Sequence, residues 1–171
     1  PWGKCYGAEL SGDGWDGLGG EEKLFEFVDG DDLGYPCCIN KNVPNPSINP
    51  KPDCSKIGAT VLPFTLHDTP FGFDWEKGKW PEPYRGALFV GLHGVFFSWV
   101  HTGLEWTPTD PVTHRPLRMT APFLTGFGRN APINGRVGDT LFAPDGRLFI
   151  ADDQGGAIYW IAPKGLRVPS R

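Results

Sequence analysis

Three polar residues stand out because each lies among glycines and apolar residues at the margin of an extended segment. His67 sits in Leu66-His67-Asp68-Thr69-Pro70-Phe71-Gly72, just ahead of a turn into a strand, and His93 closes Gly91-Leu92-His93-Gly94 at the end of another. A histidine followed by glycine after an apolar strand projects where backbone crowds a ligand or channel, and its imidazole changes charge near neutral pH. The competing reading is a turn histidine whose hydrogen bonds are satisfied locally. Arg136 lies between glycines in Asn134-Gly135-Arg136-Val137-Gly138-Asp139, with no acidic neighbour at helical spacing to make it a surface pair. A guanidinium grips planar oxygen-bearing groups with two parallel hydrogen bonds, although a solvated turn arginine is the commoner case. Asp13, Asp16, Glu21, Glu22, Asp29, Asp31 and Asp32 make the N-terminal third acidic, but their spacing is not that of an EF-hand. There is no G-x-S-x-G elbow, phosphate-binding loop or dinucleotide fingerprint.

The elements that must position these residues are strands, because Gly, Pro or Asp interrupts nearly every window long enough for helical periodicity. The clearest are Lys23 to Val28, Ala87 to Leu92, Val95 to Val100, Leu148 to Ala151 and Ala157 to Ile161, each short, β-branched or aromatic, and bounded by turn residues. Between Cys37 and Cys54 the prolines and asparagines predict an irregular surface loop pinned by its flanking cysteines. Gly86-Ala87-Leu88-Phe89-Val90 is echoed by Gly146-Arg147-Leu148-Phe149-Ile150, a weak internal repeat in which Pro144-Asp145-Gly146 supplies a tight turn. Blade-like units of a β-propeller explain the repeat, and two to three of them fit in the chain. Such a ring needs at least four blades, so apolar faces are left for other chain material or an oligomer to cover.

The chain of 171 residues is read as one unit spanning residues 1-171. Its 24 Gly and 18 Pro beside 13% aromatic residues suit many short strands joined by tight turns rather than a disordered tract. A net charge of −4 with scattered basic residues offers no footprint for nucleic acid, and no apolar run reaches membrane-spanning length. Four cysteines, Cys5, Cys37, Cys38 and Cys54, match no zinc module; disulfides and an oxidising, secreted setting are expected, with adjacent Cys37 and Cys38 taking different partners. An opening of Pro1-Trp2 rather than Met predicts a processed or truncated piece.

Several segments in order resemble the glucose/sorbosone dehydrogenase family of soluble quinoproteins. They are His67-Asp68-Thr69-Pro70-Phe71-Gly72-Phe73-Asp74-Trp75, then Pro81-Glu82-Pro83-Tyr84-Arg85-Gly86-Ala87-Leu88-Phe89-Val90-Gly91-Leu92-His93-Gly94, then Gly135-Arg136-Val137-Gly138, and finally Ala143 through Asp153. Glu21-Glu22 through Leu33-Gly34-Tyr35-Pro36 resembles the family's acidic segment, and the cysteine-bearing loop is most similar to the fungal secreted pyranose dehydrogenases.

The resemblance implies an all-β, six-bladed propeller of which this chain supplies roughly the C-terminal half, with pyrroloquinoline quinone over the central channel and a calcium ion (Ca2+) holding it. It places Arg136, His93 and His67 at cofactor positions, and calcium near backbone carbonyls of Ser11 and Gly12. A second family arginine is replaced by Gly138. The family's catalytic histidine lies upstream of the matched segments, so no residue here is assigned that role. The implied activity is oxidation of a pyranose or related sugar, with an external electron acceptor, by a protein completed by its N-terminal half or a second chain; this chain alone is expected to be inactive. The rival reading is a non-catalytic carbohydrate- or protein-binding propeller using an aromatic rim of Trp75, Trp80, Trp99 and Trp106. A metal-dependent lactone hydrolase would need carboxylate and Asn ligands on inner strands, which the sequence does not offer.

Overall fold

The computed structural model describes residues 2–11 and 21–167, and among them there is no helix. Ser11 is described and Gly12 lies outside the described residues. The fold is all-β, in two compact units, Pro1–His67 and Asp68–Arg171.

The first unit carries β1 (Cys5–Glu9), β2 (Glu22–Phe27), β3 (Cys38–Asn40), β4 (Val43–Pro44) and β5 (Thr60–Phe64). β1, β2 and β5 form an antiparallel sheet with β2 at its centre. Leu24 and Phe25 are buried there, and so is Lys23, whose Nζ donates to the Ile39 carbonyl at 2.7 Å and lies 3.6 Å from Glu9 Oε2. A buried ammonium is tolerated because both partners are in place.

The proline-rich segment departs from the irregular loop expected of it. β3 and β4 pair as a short hairpin, with Asn42 at φ 63° in the turn, a conformation asparagine accepts more readily than most residues. Cys38 and Cys54 form a disulfide that closes this segment, while Cys5 and Cys37 are free and exposed, so the structure has one bridge where two were expected.

The second unit contains β6 (Pro70–Trp75), β7 (Leu88–Leu92), β8 (Gly103–Thr107) and β9 (Ala121–Leu124) in one antiparallel sheet. β10 (Val137–Phe142), β11 (Leu148–Asp152) and β12 (Ala157–Ile161) form a second. The repeated sequences fall on β7 and β11, the second strand of each sheet. Val95–Val100, expected as a strand, is instead a loop: Gly94 and Trp99 take positive φ values of 70° and 57°, and Val95 and Val100 close on each other by a hydrogen bond from the Val95 N–H. Positive φ breaks the extended run that the apolar side chains alone predicted.

The two sheets of this unit pack through Trp80, Phe89, Leu104, Trp106, Phe142, Leu148 and Ile150. Trp80 meets Phe89 and Phe142 edge-on at 5.5 and 5.3 Å and donates its indole N–H to the Gly146 carbonyl at 2.6 Å. Glycine is required at Gly72, where a Cβ would fall 2.6 Å from the backbone of Asp139 and Thr140. Asp74 ties the sheets as well, accepting from the Phe142 N–H at 2.9 Å.

The chain between β6 and β7 folds around a single carboxylate. Buried Glu76 accepts backbone N–H groups from Gly78, Lys79, Trp80 and Gly86, two on each oxygen. Replacing it with Gln presents an NH2 group to two of those donors in either amide orientation. Glu76→Gln is expected to destabilise the second unit by about 2–4 kcal/mol in urea unfolding; a change within about 0.5 kcal/mol would contradict this arrangement.

Thiol titration in non-reducing denaturant should find two reactive cysteines, Cys5 and Cys37. Cys54→Ser, which opens a loop of sequence separation 16, should cost about 3 kcal/mol in the chain-entropy description. Four titratable thiols would refute the bridge.

Candidate functional site

Arg136 immediately precedes β10, and its backbone is fixed before its side chain begins. Its N–H donates to Asp152 Oδ1 at 2.9 Å, and the same oxygen accepts from Gly155 N–H at 2.7 Å in the turn after β11. The carboxylate lies so close to Gly135 that a Cβ there would be 1.8 Å from Oδ2. Val137 N–H donates to Thr102 Oγ1 at 3.0 Å, holding the start of β10 against the entry to β8.

The guanidinium then turns inward and is only 2% exposed. Nε donates to the His93 carbonyl at 2.9 Å and Nη2 to the Gly94 carbonyl at 2.8 Å, while the Phe96 ring lies over the guanidinium with its centroid 5.7 Å away. Burial draws the guanidinium pKa below its ordinary value and the negative charge of Asp153 opposes this; arginine remains charged. Gly94 is held at φ 70°, where a Cβ would sit 2.3 Å from the Val100 carbonyl oxygen, so no other residue fits.

His93 follows β7. Its N–H donates to the Thr69 carbonyl at 2.8 Å, its ring stacks on Phe71 at 4.3 Å and 15°, and Nε2 is 3.1 and 3.2 Å from the two Asp153 oxygens. Burial lowers the His93 pKa below that of an ordinary histidine; the Asp153 hydrogen bond and charge pull it upward, and the charge of Arg136 lowers it further. Burial pushes the Asp153 carboxyl up, but the hydrogen bond and charge of His93, the bond from Gln154 and the charge of Arg136 outweigh it and leave the carboxyl below the usual aspartate range. At neutral pH the site is therefore a neutral imidazole donating through Nε2–H to an ionised Asp153, beside a buried guanidinium.

Of the residues singled out in the sequence, Arg136 and His93 are brought together. His67, at φ 74°, ends the first unit, and Ser11, half-buried, follows β1 in the same unit. Sequence reasoning passed over Asp153, read there as part of a strand-end turn, and Phe71; the available signal was an Asp doublet closing a strand that pairs with the one after Arg136. Two of the three donor nitrogens of Arg136 are used on carbonyls, and Nη1 makes no hydrogen bond among the described residues. The proposed tryptophan rim is overturned: Trp75, Trp80 and Trp106 are buried in the unit, and Trp99 carries Arg129 against its face at 4.9 Å. Chemically, a flat stacked pair, a fixed cation and an ionised, half-exposed carboxylate can bind a planar anionic group and accept hydrogen bonds from hydroxyls.

A depressed histidine pKa makes the unfolded state the better proton acceptor between the folded value and about 6.5, so stability falls as pH drops through that window. Thermal unfolding should show this loss on acidification, and His93→Gln should lack the share that His93 contributes. In a histidine NMR titration, Asp153→Asn should move the His93 midpoint still lower, because the carboxylate supports the charged imidazole; an upward move would contradict the pairing.

No protein-family model matches the chain, and no curated protein matches it. Solved structures do. A glucose dehydrogenase superposes with a TM-score of 0.69 at 16% identity, covering 96% of this chain and 42% of that one. A second crystal structure of glucose dehydrogenase gives 0.68 at 16%, over 96% and 43%. The calcium structure of a Trichoderma reesei protein of Carbohydrate-Active Enzymes family AA12 gives 0.61 at 14%, over 82% and 42%. The chain thus spans about two fifths of the length of these neighbours, and what it shares with them is a glucose dehydrogenase-like fold.

Proposed function

We propose that the chain is part of a sugar-oxidising quinoprotein, with Arg136 and His93 in the wall of its cofactor site. The observation that carries the reading is the Arg136–His93–Asp153 cluster, in which a charge is buried at a strand entrance and held toward a stacked imidazole. Propeller packing has no need of such a group, and the likeness in fold to glucose dehydrogenases agrees with it. The cluster fits pyrroloquinoline quinone in kind: Nη1 and the guanidinium charge face the need for a cation, and the Phe71–His93 stack offers a flat wall. Bound there, the quinone accepts two electrons and two protons as a sugar hydroxyl is oxidised to the carbonyl level. Arg136 would hold the acidic edge, and His93, oriented by Asp153, would border the ring. His67 would complete the wall. Calcium would rest on main-chain oxygens at Ser11 and Gly12; among the described residues no three His, Cys, Asp or Glu side chains gather as an alternative. The proton acceptor for the sugar hydroxyl would come from the remaining polypeptide or a second chain, and the reduced cofactor would pass its electrons to an external acceptor. The disulfide is in keeping with a secreted protein, and no described helix is long and apolar enough to cross a membrane.

The test is a titration of the complete, calcium-loaded apoprotein with quinone, read by cofactor absorbance and then by sugar-dependent dye reduction. Arg136→Ala should weaken quinone binding or turnover by roughly 2–4 kcal/mol, since it removes the charge and releases the His93 and Gly94 carbonyls. Arg136→Lys should rescue only part, lacking the planar fork. Wild-type affinity and turnover in a folded Ala variant would remove Arg136 from the site. Sugar binding without any quinone binding would favour the non-catalytic module.

A further inference from the structure

The two sheets of the second unit can be laid on each other residue by residue, and the comparison exposes an unmatched face. With β7 set on β11 by the repeated Leu-Phe-Val/Ile, the pair Phe89↔Trp106 on the first sheet corresponds to Phe149↔Trp160 on the second, and Gly91↔Leu104 corresponds to Ala151↔Ile158. Tryptophan falls on tryptophan, and leucine on isoleucine. In the first sheet this face is covered by the second sheet, whose Phe142, Leu148 and Ile150 pack on Phe89, Leu104 and Trp106. In the second sheet the matching face is open. Leu104 is 1% exposed and Ile158 74%; Trp106 is 9% exposed and Trp160 52%. Leu141, on the same face beside Phe149, is 59% exposed, and a concavity of about 190 Å³ is lined by Asp139, Leu141, Phe149, Ala151 and Ile158. The edge differs in the same sense: β8 is paired by β9, with Leu124 opposite Leu104 and Ala121 opposite Trp106, whereas β12 has no outer partner among the described residues. Ala157–Ile161 carries no charge or proline of the kind that protects a free edge. An apolar face and a bare edge of this kind are found where protein is meant to cover them.

We infer that the Leu141–Phe149–Ile158–Trp160 face is the seat of a third antiparallel sheet, contributed by the same polypeptide outside these 171 residues. Its occupant packs as the second sheet packs on the first, offering bulky aliphatic and aromatic side chains at the places of Phe142, Leu148 and Ile150. This deepens the reading of the chain as part of a longer protein and rests on it, but involves neither quinone nor sugar. The internal repeat says what the cover is: the chain already contains one copy of the same face, and a sheet covers it.

Covalent footprinting of Trp160 and Ile158 by hydroxyl radicals tests this on two samples, the recombinant 171-residue chain and the protein isolated in its native form from its source. Trp160 should be labelled about five-fold less in the native form, in the ratio of 52% to 9% exposure, while Trp106 is labelled weakly in both. In the recombinant chain Trp160 labelling should be independent of protein concentration. Equal labelling of Trp160 in the two samples overturns the inference. Protection that grows with concentration in the recombinant chain identifies a second copy as the occupant, and protection in the native form that disappears when a copurifying protein is removed identifies a separate partner; either result also overturns it. Because quinone affinity plays no part, failure here is separable from failure of the Arg136 titration.

Discussion

The arrangement of the second unit around its site follows from the need to neutralise one buried guanidinium. A charge removed from water must be met by oriented dipoles or an opposite charge, and Arg136 is met by two carbonyls from successive residues, His93 and Gly94. For both to point the same way the backbone must turn sharply after β7, which sets Gly94 at positive φ and sends Val95–Val100 into a loop. The turn also fixes where the His93 ring can go, against Phe71 on one side and Asp153 at its Nε2. At the other end Asp152 clamps the Arg136 backbone through a carboxylate packed on two glycines. A single ionic requirement thus links the ends of β7, β10 and β11.

The same economy recurs away from the site. Glu76 satisfies four backbone donors, and Asp74 reaches from one sheet to the first strand-end of the next. In a chain with so many short strands and turns, many N–H groups fall outside ladders, and acidic side chains placed at strand ends are the means of satisfying them. The acidic residues of this unit therefore have structural work that their scattered distribution in the sequence conceals.

Some of this architecture is legible in the residues themselves. Leu148 to Ala151 and Ala157 to Ile161 are strands because β-branched and aromatic residues run between Gly and Asp turns, and the Gly-x-Leu-Phe repeat marks equivalent strands of two sheets. Val95 to Val100 shows the limit: its composition is that of a strand, and only the carbonyls demanded by Arg136, forty residues on, bend it away. The tryptophans show another. Indoles were read as a surface rim because they are numerous, yet Trp75, Trp80 and Trp106 are the bulk that fills the unit, a matter of tertiary burial that local sequence does not encode. His93 and Arg136 were legible from their glycine neighbours; Asp153 was not, because its role depends on a strand pairing with a partner distant in sequence. The single disulfide likewise depends on which cysteine of the adjacent pair faces inward, and it is Cys38 that is buried.

The uneven placing of tryptophan has a spectroscopic consequence. Five of the seven indoles, Trp75, Trp80, Trp99, Trp106 and Trp160, belong to the second unit. The first unit has its own built-in probe in the Cys38–Cys54 bridge, whose thiols react only once it is reduced. Intrinsic fluorescence and accessibility of the bridge to reductant therefore watch different halves of one molecule without any label. If the two signals change at the same denaturant concentration the halves unfold as one cooperative body, and if they separate each half has a stability of its own.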